Sequence, residues 1–369
     1  MSSQNTSLSY LALQKFKRNF WGIFSFWCIV IAFLLAVFAY VIAPDNSANA
    51  NQMALAIHSQ RPGFKVKVLE IPNASTDKIS FFNRMFFGNP NPSEEIPVLE
   101  VQVLEDKLVY FPYNSAEEKS VASEVSLANF PNDISTETLI STFVKNKTFW
   151  LGTDRYGRDM LSRMLIGLRI SLSIGLIAVF ISLLVGISLG AMAGYFGGRV
   201  DAFIMWLINV TWSIPTLLLV IAITLALGKG YWQVFIAVGL TMWVEVARIV
   251  RGQFISLKEM PYVTAAKALG FGHFRIIKNH ILPNALAPVI VISAANFASA
   301  ILIESGLSFL GIGAQPPTPS WGGMIKDHYS YILLGKAYLA VIPGMGIMLL
   351  VMAFMLMGNA LRDALDVKG

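Results

Sequence analysis

The stretch YVTAAKALGFGHFRIIKNHILPN, Tyr262 to Asn284, decides how the fold is interpreted. Long apolar runs flank it on both sides, yet it contains three basic residues, Lys267, Arg275 and Lys278. The chain of 369 residues is 55% hydrophobic and only 14% charged, whereas soluble domains average about 25% charged residues. The mean hydropathy is +0.60. Composition therefore predicts an integral membrane protein whose apolar sequence is interrupted at this point.

The stretch predicts two short helices joined by a corner. Tyr262–Leu269 predicts the first helix, and Gly270 and Gly272 end it, because glycine suits helix ends and tight turns. Phe274–Ile281 predicts the second helix, and Pro283 then opens the next span, where its missing N–H costs little. The residues alone leave two interpretations open. One is a surface whose small residues let another protein approach closely; the other is an amphipathic segment resting on anionic lipid headgroups.

Six apolar runs are long enough to cross a membrane, which takes about 20 residues. The first, Phe20–Ala43, contains no charged residue. A signal peptide is the alternative, because Ala48–Ala50 resembles a cleavage site, but an h-region has only about 7–15 residues. The predicted fold class is therefore an all-α polytopic membrane protein. The other predicted spans are Ile170–Tyr195, Ala202–Leu227, Trp232–Val250, Ala285–Ile303 and Ala337–Leu361.

Basic residues near the spans predict the orientation. The N-terminal tail holds Lys15, Lys17 and Arg18 without an acid, and the loop Arg248–Leu282 holds six bases against one acid. Both termini and this loop are therefore expected in the cytoplasm. The segment Asp45–Trp150 has 13 acids against 9 bases and is expected outside. Because the basic excess follows topology, the net charge of +6 does not predict nucleic-acid binding.

The segment 44–150 predicts a small β-containing insertion between the first two spans. Phe64–Ile71 and Val98–Tyr113 alternate with period two, and Asn89–Pro92 and Phe130–Asp133 predict turns. Two interpretations stay open: a structured insertion without chemistry, and a docking or capping element over the external mouth. Its sequence shows no metal-ligand cluster and no nucleophile arrangement.

Three features inside the spans invite a packing or a functional interpretation. Pro215, within the third span, predicts a kink. Glu245, an acid in the fourth span, is expected to pair with Arg248 at i,i+3 spacing rather than to serve function. Small residues recur at every fourth position of the second span, which predicts close helix packing, with a pathway lining as the alternative. They are Ala178, Ser182, Gly186, Gly190 and Gly194.

The opening stretch resembles the cytoplasmic coupling motif of ABC importer permeases. Ala265-Ala266, Gly270 and Leu282-Pro283 match the spacing of that motif. Thr264 stands where the family usually has glutamate. His280 departs from the general isoleucine, yet HILPN is typical of the dipeptide, oligopeptide and nickel branch. The resemblance implies that this stretch, with its neighbours Lys267 and Gly272, contacts ATPase subunits.

Other segments extend the resemblance to residues 10–44 and 151–368. Leu151–Leu176 is similar to the branch's entry into span two, and Met357–Lys368 to its C-terminal signature, although Asn359 and Val367 depart from it. Glu304–Ile325 is similar to its loop between spans five and six. In that loop, Gly311, Gly313 and Pro316 suit a shaped external turn. Trp321 suits an anchor at the membrane interface, with substrate contact as the alternative.

The resemblance implies a type I ABC importer-like core of six transmembrane helices in a bacterial inner membrane. Its domains would be the tail and first helix (1–43), the periplasmic insertion (44–150) and the core (151–369) with its coupling loop (251–283). The chain would form half of an alternating-access path for dipeptides or oligopeptides. The expected partners are a second homologous permease, two ABC ATPase subunits or domains, a periplasmic or lipid-anchored binding protein, and membrane lipid.

No catalytic or metal site is expected in this chain, and it is not expected to be an enzyme. The sequence has no phosphate-binding loop, so ATP and magnesium would be bound by the partner ATPases. The single cysteine, Cys28, excludes an intrachain disulfide. Three alternatives remain: a secondary transporter, which usually has ionisable or unwound sites at the membrane midplane, a permease for nickel or another small solute, and a membrane enzyme acting through the external segment.

Overall fold

The computed structural model describes residues 8–73, 80–90, 93–104, 107–114, 121–130, 136–228 and 230–366. Parts of both predicted turns (91–92 and 131–133) and the end of the C-terminal signature (367–368) lie outside these residues. The chain divides into two compact units. The first unit comprises Met1–Ala32, Ser171–Gln315 and Met345–Gly369, and the second comprises Phe33–Ile170 and Pro316–Gly344.

Helices make up most of the described chain, as predicted. Five helical segments are long and apolar enough to span a membrane, and a sixth candidate is a pair of helices bent by 93°. The helices are α1 (Leu8–Arg18), α2 (Phe20–Val37), α3 (Ala39–Ile42), α4 (Phe81–Phe87), α5 (Thr136–Phe143), α6 (Met160–Phe196), α7 (Gly198–Ser213), α8 (Thr216–Leu227), α9 (Tyr231–Leu257), α10 (Pro261–Ala268), α11 (His273–Ile276), α12 (Leu282–Phe309), α13 (Trp321–His328) and α14 (Tyr338–Leu365).

The bent pair of α7 and α8 corresponds to the predicted third span, Ala202–Leu227. A kink within one helix was expected at Pro215, but the helix breaks completely. Ile214 is extended (φ −93°, ψ 127°), and Pro215 caps α8. The physical reason is that a residue before proline is disfavoured in the helical region, and proline itself has no N–H for the helix ladder.

Contacts between α6 and α9 explain why the bent pair counts as one span. A Cβ on Gly186 would lie 2.6 Å from Val246 Cβ, and a Cβ on Gly194 would lie 2.5 Å from Phe254 Cβ. The contacts advance in the same direction along both helices, so α6 and α9 run parallel. Two parallel spans need one crossing between them, which α7 and α8 together provide.

The two ends of the described chain lie together in the first unit. The Lys15 ammonium donates a hydrogen bond to the Asp366 carbonyl oxygen at 3.0 Å. A Cβ on Gly22, near the start of α2, would lie 2.8 Å from Ala360 Cβ, near the end of α14. An even number of crossings brings both ends to one side, which agrees with six spans.

One sheet of five antiparallel strands lies in the second unit. The predicted strand Phe64–Ile71 is confirmed, but the run Val98–Tyr113 is wrong as a single strand. It contains parts of two strands that pair with each other, Leu104 opposite Lys107, because the run is longer than the usual strand of about 3–10 residues. The strands are β1 (Phe64–Ile71), β2 (Glu94–Leu104), β3 (Lys107–Pro112), β4 (Ser123–Ser126) and β5 (Val144–Phe149), in the spatial order β4-β3-β2-β1-β5.

Both faces of the sheet are covered by apolar residues. On one face Val66 and Val68 pack with Ile57. On the other face Leu69 packs with Leu139 of α5. Because side chains alternate along a strand, β1 serves both cores. The sheet belongs to the second unit, which also contains the start of α6 and residues 316–344.

Candidate functional site

The predicted corner forms one continuous segment, Pro261–Ile281, called here the corner segment. Its first helix, α10, starts where the sequence favours a start, with Pro261 at the first helical position and Met260 extended before it. Proline suits this position because its fixed φ matches the helix and its missing N–H would have no partner there. The predicted first short helix, Tyr262–Leu269, is thereby confirmed to within a residue at each end.

The end of α10 shows why a glycine occupies position 270. Gly270 has φ +77°, in the left-handed region. The N–H of Phe271 donates to the Ala266 carbonyl oxygen at 3.1 Å, and the N–H of Gly270 donates to the Lys267 carbonyl oxygen at 2.9 Å. This pair of bonds is a Schellman motif, which satisfies carbonyls that the helix end leaves without partners. The glycine therefore fixes the direction in which the chain leaves α10.

The predicted second short helix, Phe274–Ile281, is wrong as a separate element. The α11 helix runs through a π-helical turn, Ile277–Ile281, directly into α12. The cause is Pro283, whose ring and missing N–H disturb the regular i→i−4 ladder. The preceding residue, Leu282, donates its N–H to the Ile277 carbonyl oxygen, five positions back. The wider turn absorbs the proline without ending the helix, so Leu282 and Pro283 lie inside a long helical rod.

The inward face of the corner segment is buried in the first unit. Its apolar side chains pack against the ends of α6 and α9, where Tyr195 and Phe254 are 9% and 0% exposed. Because packed interiors deform little, this core couples the segment to the spans as a rigid body. The inward side chains are Val263, Ala266, Ile276 and Ile281.

The outward face of the corner segment consists mainly of small and apolar residues, together with Thr264 and Lys267. Leu269 is 73% and Phe274 is 76% exposed. A Cβ added at Gly270 or Gly272 would meet no atom within 4 Å. Of the two alanines in the motif, Ala265 lies on this face, whereas Ala266 is 3% exposed and belongs to the core. The residues of this face are Thr264, Ala265, Lys267, Ala268, Leu269, Gly270, Gly272 and Phe274.

Aromatic and polar contacts hold the corner in place. The Tyr195 hydroxyl lies 2.9 Å from His273 Nδ1, which ties the end of α6 to α11. The His280 ring stacks on Phe271, with centroids 5.7 Å apart and planes inclined by 19°. The Arg275 guanidinium lies 4.1 Å from the centroid of the same Phe271 ring. His280 thus stabilises the corner from within.

The charge on the outward surface is positive. Lys267, Arg275 and Lys278 are exposed, and none of them forms an ion pair with any residue that the structure describes. Such cations favour a partner surface of the opposite sign, because complementary charge steers association.

The small residues of α6 lie against α9. A Cβ on Gly190 would lie 2.5 Å from the Ala247 carbonyl oxygen and 2.9 Å from Val250 Cβ. Gly186 and Gly194 meet α9 equally closely, at Trp243 to Val246 and at Arg251 to Phe254. This glycine stripe brings the two helix backbones together, as small-residue faces do in membranes.

The predicted external turn falls in both units. In the first unit, Gly311 has φ +79°, and a Cβ on Gly313 would lie 2.2 Å from Ser308 Oγ. In the second unit, Pro316 precedes α13, in which Trp321 is only 4% exposed. The Trp321 indole donates its N–H to the Met164 carbonyl oxygen at 3.0 Å. The interpretation of Trp321 as an interface anchor is therefore wrong, because its polar group is satisfied inside the protein.

Two acidic residues of the spans, Glu245 and Glu304, have surroundings that the sequence did not predict. Glu245 does not pair with Arg248, whose guanidinium lies 3.8 Å from the centroid of the Trp212 ring instead. Glu245 is exposed and lines a cavity with Trp212 and Ser299. Glu304, which the sequence pattern did not single out, is fully buried and accepts a 2.7 Å hydrogen bond from Ser308 Oγ. The sequence signal for this hydrogen bond was the i,i+4 spacing of Glu304 and Ser308.

The segment after the insertion builds a buried charge cluster within the second unit. Asp154 is fully buried and accepts hydrogen bonds from the N–H of Tyr156 and from the N–H and Nε of Arg158. The N–H of Arg155 donates to His328 Nε2 at 3.3 Å. Each of these polar contacts joins residues within the second unit. Among the described residues no group of three or more histidine, cysteine or acidic side chains is arranged to hold a metal ion.

Two family models and several known proteins are similar to this chain. Residues 186–367 match the family model described as "Binding-protein-dependent transport system inner membrane component", and residues 7–62 match "N-terminal TM domain of oligopeptide transport permease C". The first match includes the whole corner segment. An inward-facing structure of the MetNI methionine ABC transporter aligns with a TM-score of 0.44 at 19% identity, over 56% of this chain and 97% of that one.

Curated relatives are considerably more similar. The chain is 43% identical to the dipeptide transport system permease protein DppC of Bacillus subtilis (strain 168), over 59% of this chain and 68% of the relative. It is 39% identical to the glutathione transport system permease protein GsiD of Pectobacterium atrosepticum, over 59% of this chain and 72% of the relative. The chain therefore belongs to the family of inner membrane permease components of binding-protein-dependent ABC importers, in its dipeptide and oligopeptide branch.

Proposed function

We propose that this chain forms half of the translocation path of an ATP-driven peptide importer and that the corner segment receives the driving motion from an ATPase. The outward face of that segment carries the proposal. Thr264, Ala265, Gly270 and Gly272 are exposed, while Ala266 and its inward neighbours are locked into the core of the spans. A partner that moves the outward face therefore moves α9 and α12 with it.

The motion is transmitted as a displacement of rigid elements. The α11 helix is continuous with α12, so a push on the corner segment reaches the full length of that span. Packed interfaces switch between discrete arrangements instead of stretching. ATP-driven closure of two ATPase subunits would in this way exchange outward-open and inward-open states. ATP and magnesium would be bound by those subunits.

The proposed orientation follows the charges. The corner segment and the tail with Lys15 and Lys17 are basic, which favours the cytoplasmic side for both. Lys15 contacts Asp366, so both termini are assigned to the cytoplasm of a bacterial cell. The insertion 44–150 is then periplasmic, where a substrate-binding protein delivers cargo. A second homologous permease completes the path.

Peptides are the proposed cargo. The matched relatives are named as permeases for dipeptides, di- and tripeptides, oligopeptides and glutathione, which is itself a small peptide. A permease for nickel or another small solute is the alternative.

Co-purification tests the proposal. The full chain, expressed with neighbouring transporter genes and solubilised gently, is expected to retain a second permease and two ATPase subunits. Replacing Gly270 by leucine should abolish peptide uptake while the protein stays in the membrane, because the side chain projects into the open outward face. Gly335→Leu is the matched control, since Gly335 also has a positive φ (+72°) and a Cβ there also meets nothing within 4 Å. Normal uptake by the Gly270 variant would refute the coupling role.

A further inference from the structure

The α4 helix, FFNRMFF, is the most aromatic exposed surface of the insertion. Its four phenylalanines are 60%, 67%, 44% and 74% exposed in chain order, whereas Met85 is 9% exposed and holds the helix to the lobe. Exposed large apolar side chains in such number on one short helix suggest a contact with a protein or a membrane. The residues are Phe81, Phe82, Phe86 and Phe87.

The position of α4 indicates which contact this is. Gly88 follows the helix directly, and a Cβ there would lie 2.8 Å from Cε1 of Tyr40. Tyr40 belongs to α3, the last turn of the first apolar span. One residue further, the N–H of Asn89 donates to the Asn46 carbonyl oxygen at 2.8 Å. The C-terminal end of α4 is therefore fixed beside the end of the first apolar span.

A second tether comes from Arg169 in α6. Its Nη1 donates a hydrogen bond to the Met85 carbonyl oxygen at 3.2 Å. Its guanidinium lies 5.5 Å from the ring centroids of both Tyr40 and Phe86. The carbonyls of a last helical turn lack intrahelical partners, and a cation is favourable there. Arg169 thus holds α4 against the outer ends of the first two spans.

Exposed apolar side chains also occur on α3, which packs against α4. Val41 and Ile42, at the end of the first span, are 49% and 50% exposed. We propose that α4 inserts its phenylalanines into the outer interfacial layer of the phospholipid bilayer and anchors the periplasmic insertion there. Short aromatic helices of this type lie in the plane of the interface. The exposed Arg84 on the same helix supplies a cation for lipid phosphate.

Site-specific fluorescence tests the proposal in the intact chain. In a Cys28→Ser background, single cysteines replace Phe82 or Phe87 and carry an environment-sensitive nitrobenzoxadiazole label. The full-length protein is placed in nanodiscs of phosphatidylethanolamine and phosphatidylglycerol. Labels at both positions should lose most of their emission to lipids that carry a nitroxide near the headgroup and should resist iodide in the water. The matched control is Val121→Cys, 86% exposed on the same lobe, which should show the reverse.

Two outcomes would overturn the proposal. Quenching of positions 82 and 87 by iodide would place α4 in water. Protection from both quenchers would show that protein covers the helix, and repeating the measurement with the binding protein or second permease removed would identify the cover. Because the replaced side chains are exposed, the variants should remain folded. A monodisperse elution profile equal to that of the Cys28→Ser parent checks this before labelling.

Discussion

The glycine stripe of α6 and the outward face of the corner segment use the same kind of residue for opposite purposes. A Cβ on Gly190 would lie 2.5 Å from a backbone oxygen of α9, whereas a Cβ on Gly270 would meet nothing within 4 Å. In the stripe, the small residues are covered by another helix of the same chain. In the corner segment, the space beside the small residues stays open to another molecule. A small residue in a membrane protein therefore indicates close approach, but only its surroundings show whether the approaching surface belongs to the same chain.

The largest expected effect comes from filling the stripe. Gly190→Leu should prevent folding, because the new side chain meets the Ala247 backbone, which cannot move aside as a flexible side chain can. We expect a loss of about 3 kcal/mol or more, seen as aggregated protein in size-exclusion chromatography. The matched substitution Gly252→Leu in α9 enters open space and should leave the elution profile unchanged. A well-folded Gly190→Leu protein would show that the stripe of α6 does not need small residues to pack against α9.

Two neighbouring alanines give the next effect. Ala266 is 3% exposed, so Ala266→Trp should overpack the core and cost about 1–3 kcal/mol of stability. Ala265→Trp should leave the melting temperature close to that of the parent but prevent binding of the ATPase subunits. Thermal unfolding and co-purification measured on both variants separate the two faces. Equal melting temperatures and equal ATPase binding in the two variants would contradict the assignment of Ala265 and Ala266 to different faces.

A smaller effect is expected at the contact that anchors the corner. Tyr195→Phe removes the hydroxyl that lies 2.9 Å from His273 Nδ1. The loss should be about 0.5–1.5 kcal/mol, the usual net contribution of one hydrogen bond. Faster hydrogen–deuterium exchange should appear at residues 261–281 and not in the sheet of the second unit. Unchanged exchange in the corner segment would show that apolar packing alone holds it.

The smallest effect is expected at a buried polar contact of the second unit, which His328 forms with Met324. Burial lowers the pKa of His328 below its usual 6.5, while its Nδ1 lies 2.7 Å from the Met324 carbonyl oxygen. As pH falls through about 6.5, the unfolded chain binds a proton that the folded chain does not, so stability decreases.

Replacing His328 by asparagine should reduce this loss between pH 7.5 and 5.5, as measured by thermal unfolding at both values. Burial raises the pKa of Asp159, which gives the opposite slope. The difference between the parent and the variant is therefore the informative quantity. Identical pH profiles would show that His328 is not held neutral by the fold.

Local signals were sufficient for several features of this protein. Gly270 ends α10 because a left-handed residue is needed at that point, and this requirement depends only on neighbouring residues. The spans are recognisable because a helix needs a run of about 20 apolar residues to cross a bilayer. The strand β1 was predicted from its alternation. The spacing of Ala265-Ala266, Gly270 and Leu282-Pro283 resembled the motif of the family, which the comparisons then showed.

Other expectations failed where a competing contact lay far away in sequence. Arg248 turns to Trp212 on another helix instead of to Glu245, three residues away. Trp321 satisfies its N–H at Met164, more than a hundred residues earlier. The π turn that carries α11 into α12 arises from a proline that was expected to start a helix. In the first two cases a contact distant in sequence decided the position of the side chain, whereas the π turn is a local effect of Pro283.

The sequence by itself determined that the chain crosses a membrane, approximately where its spans lie, and to which family it is related. These properties follow from hydrophobic length, from backbone preferences and from short-range spacing. The tertiary structure decided which side of each helix is occupied. It placed Ala266 in the core and Ala265 outside, closed the stripe of α6 onto α9, and left the phenylalanines of α4 uncovered. Rotation about a helix axis has little intrinsic cost, so only packing against neighbours fixes it.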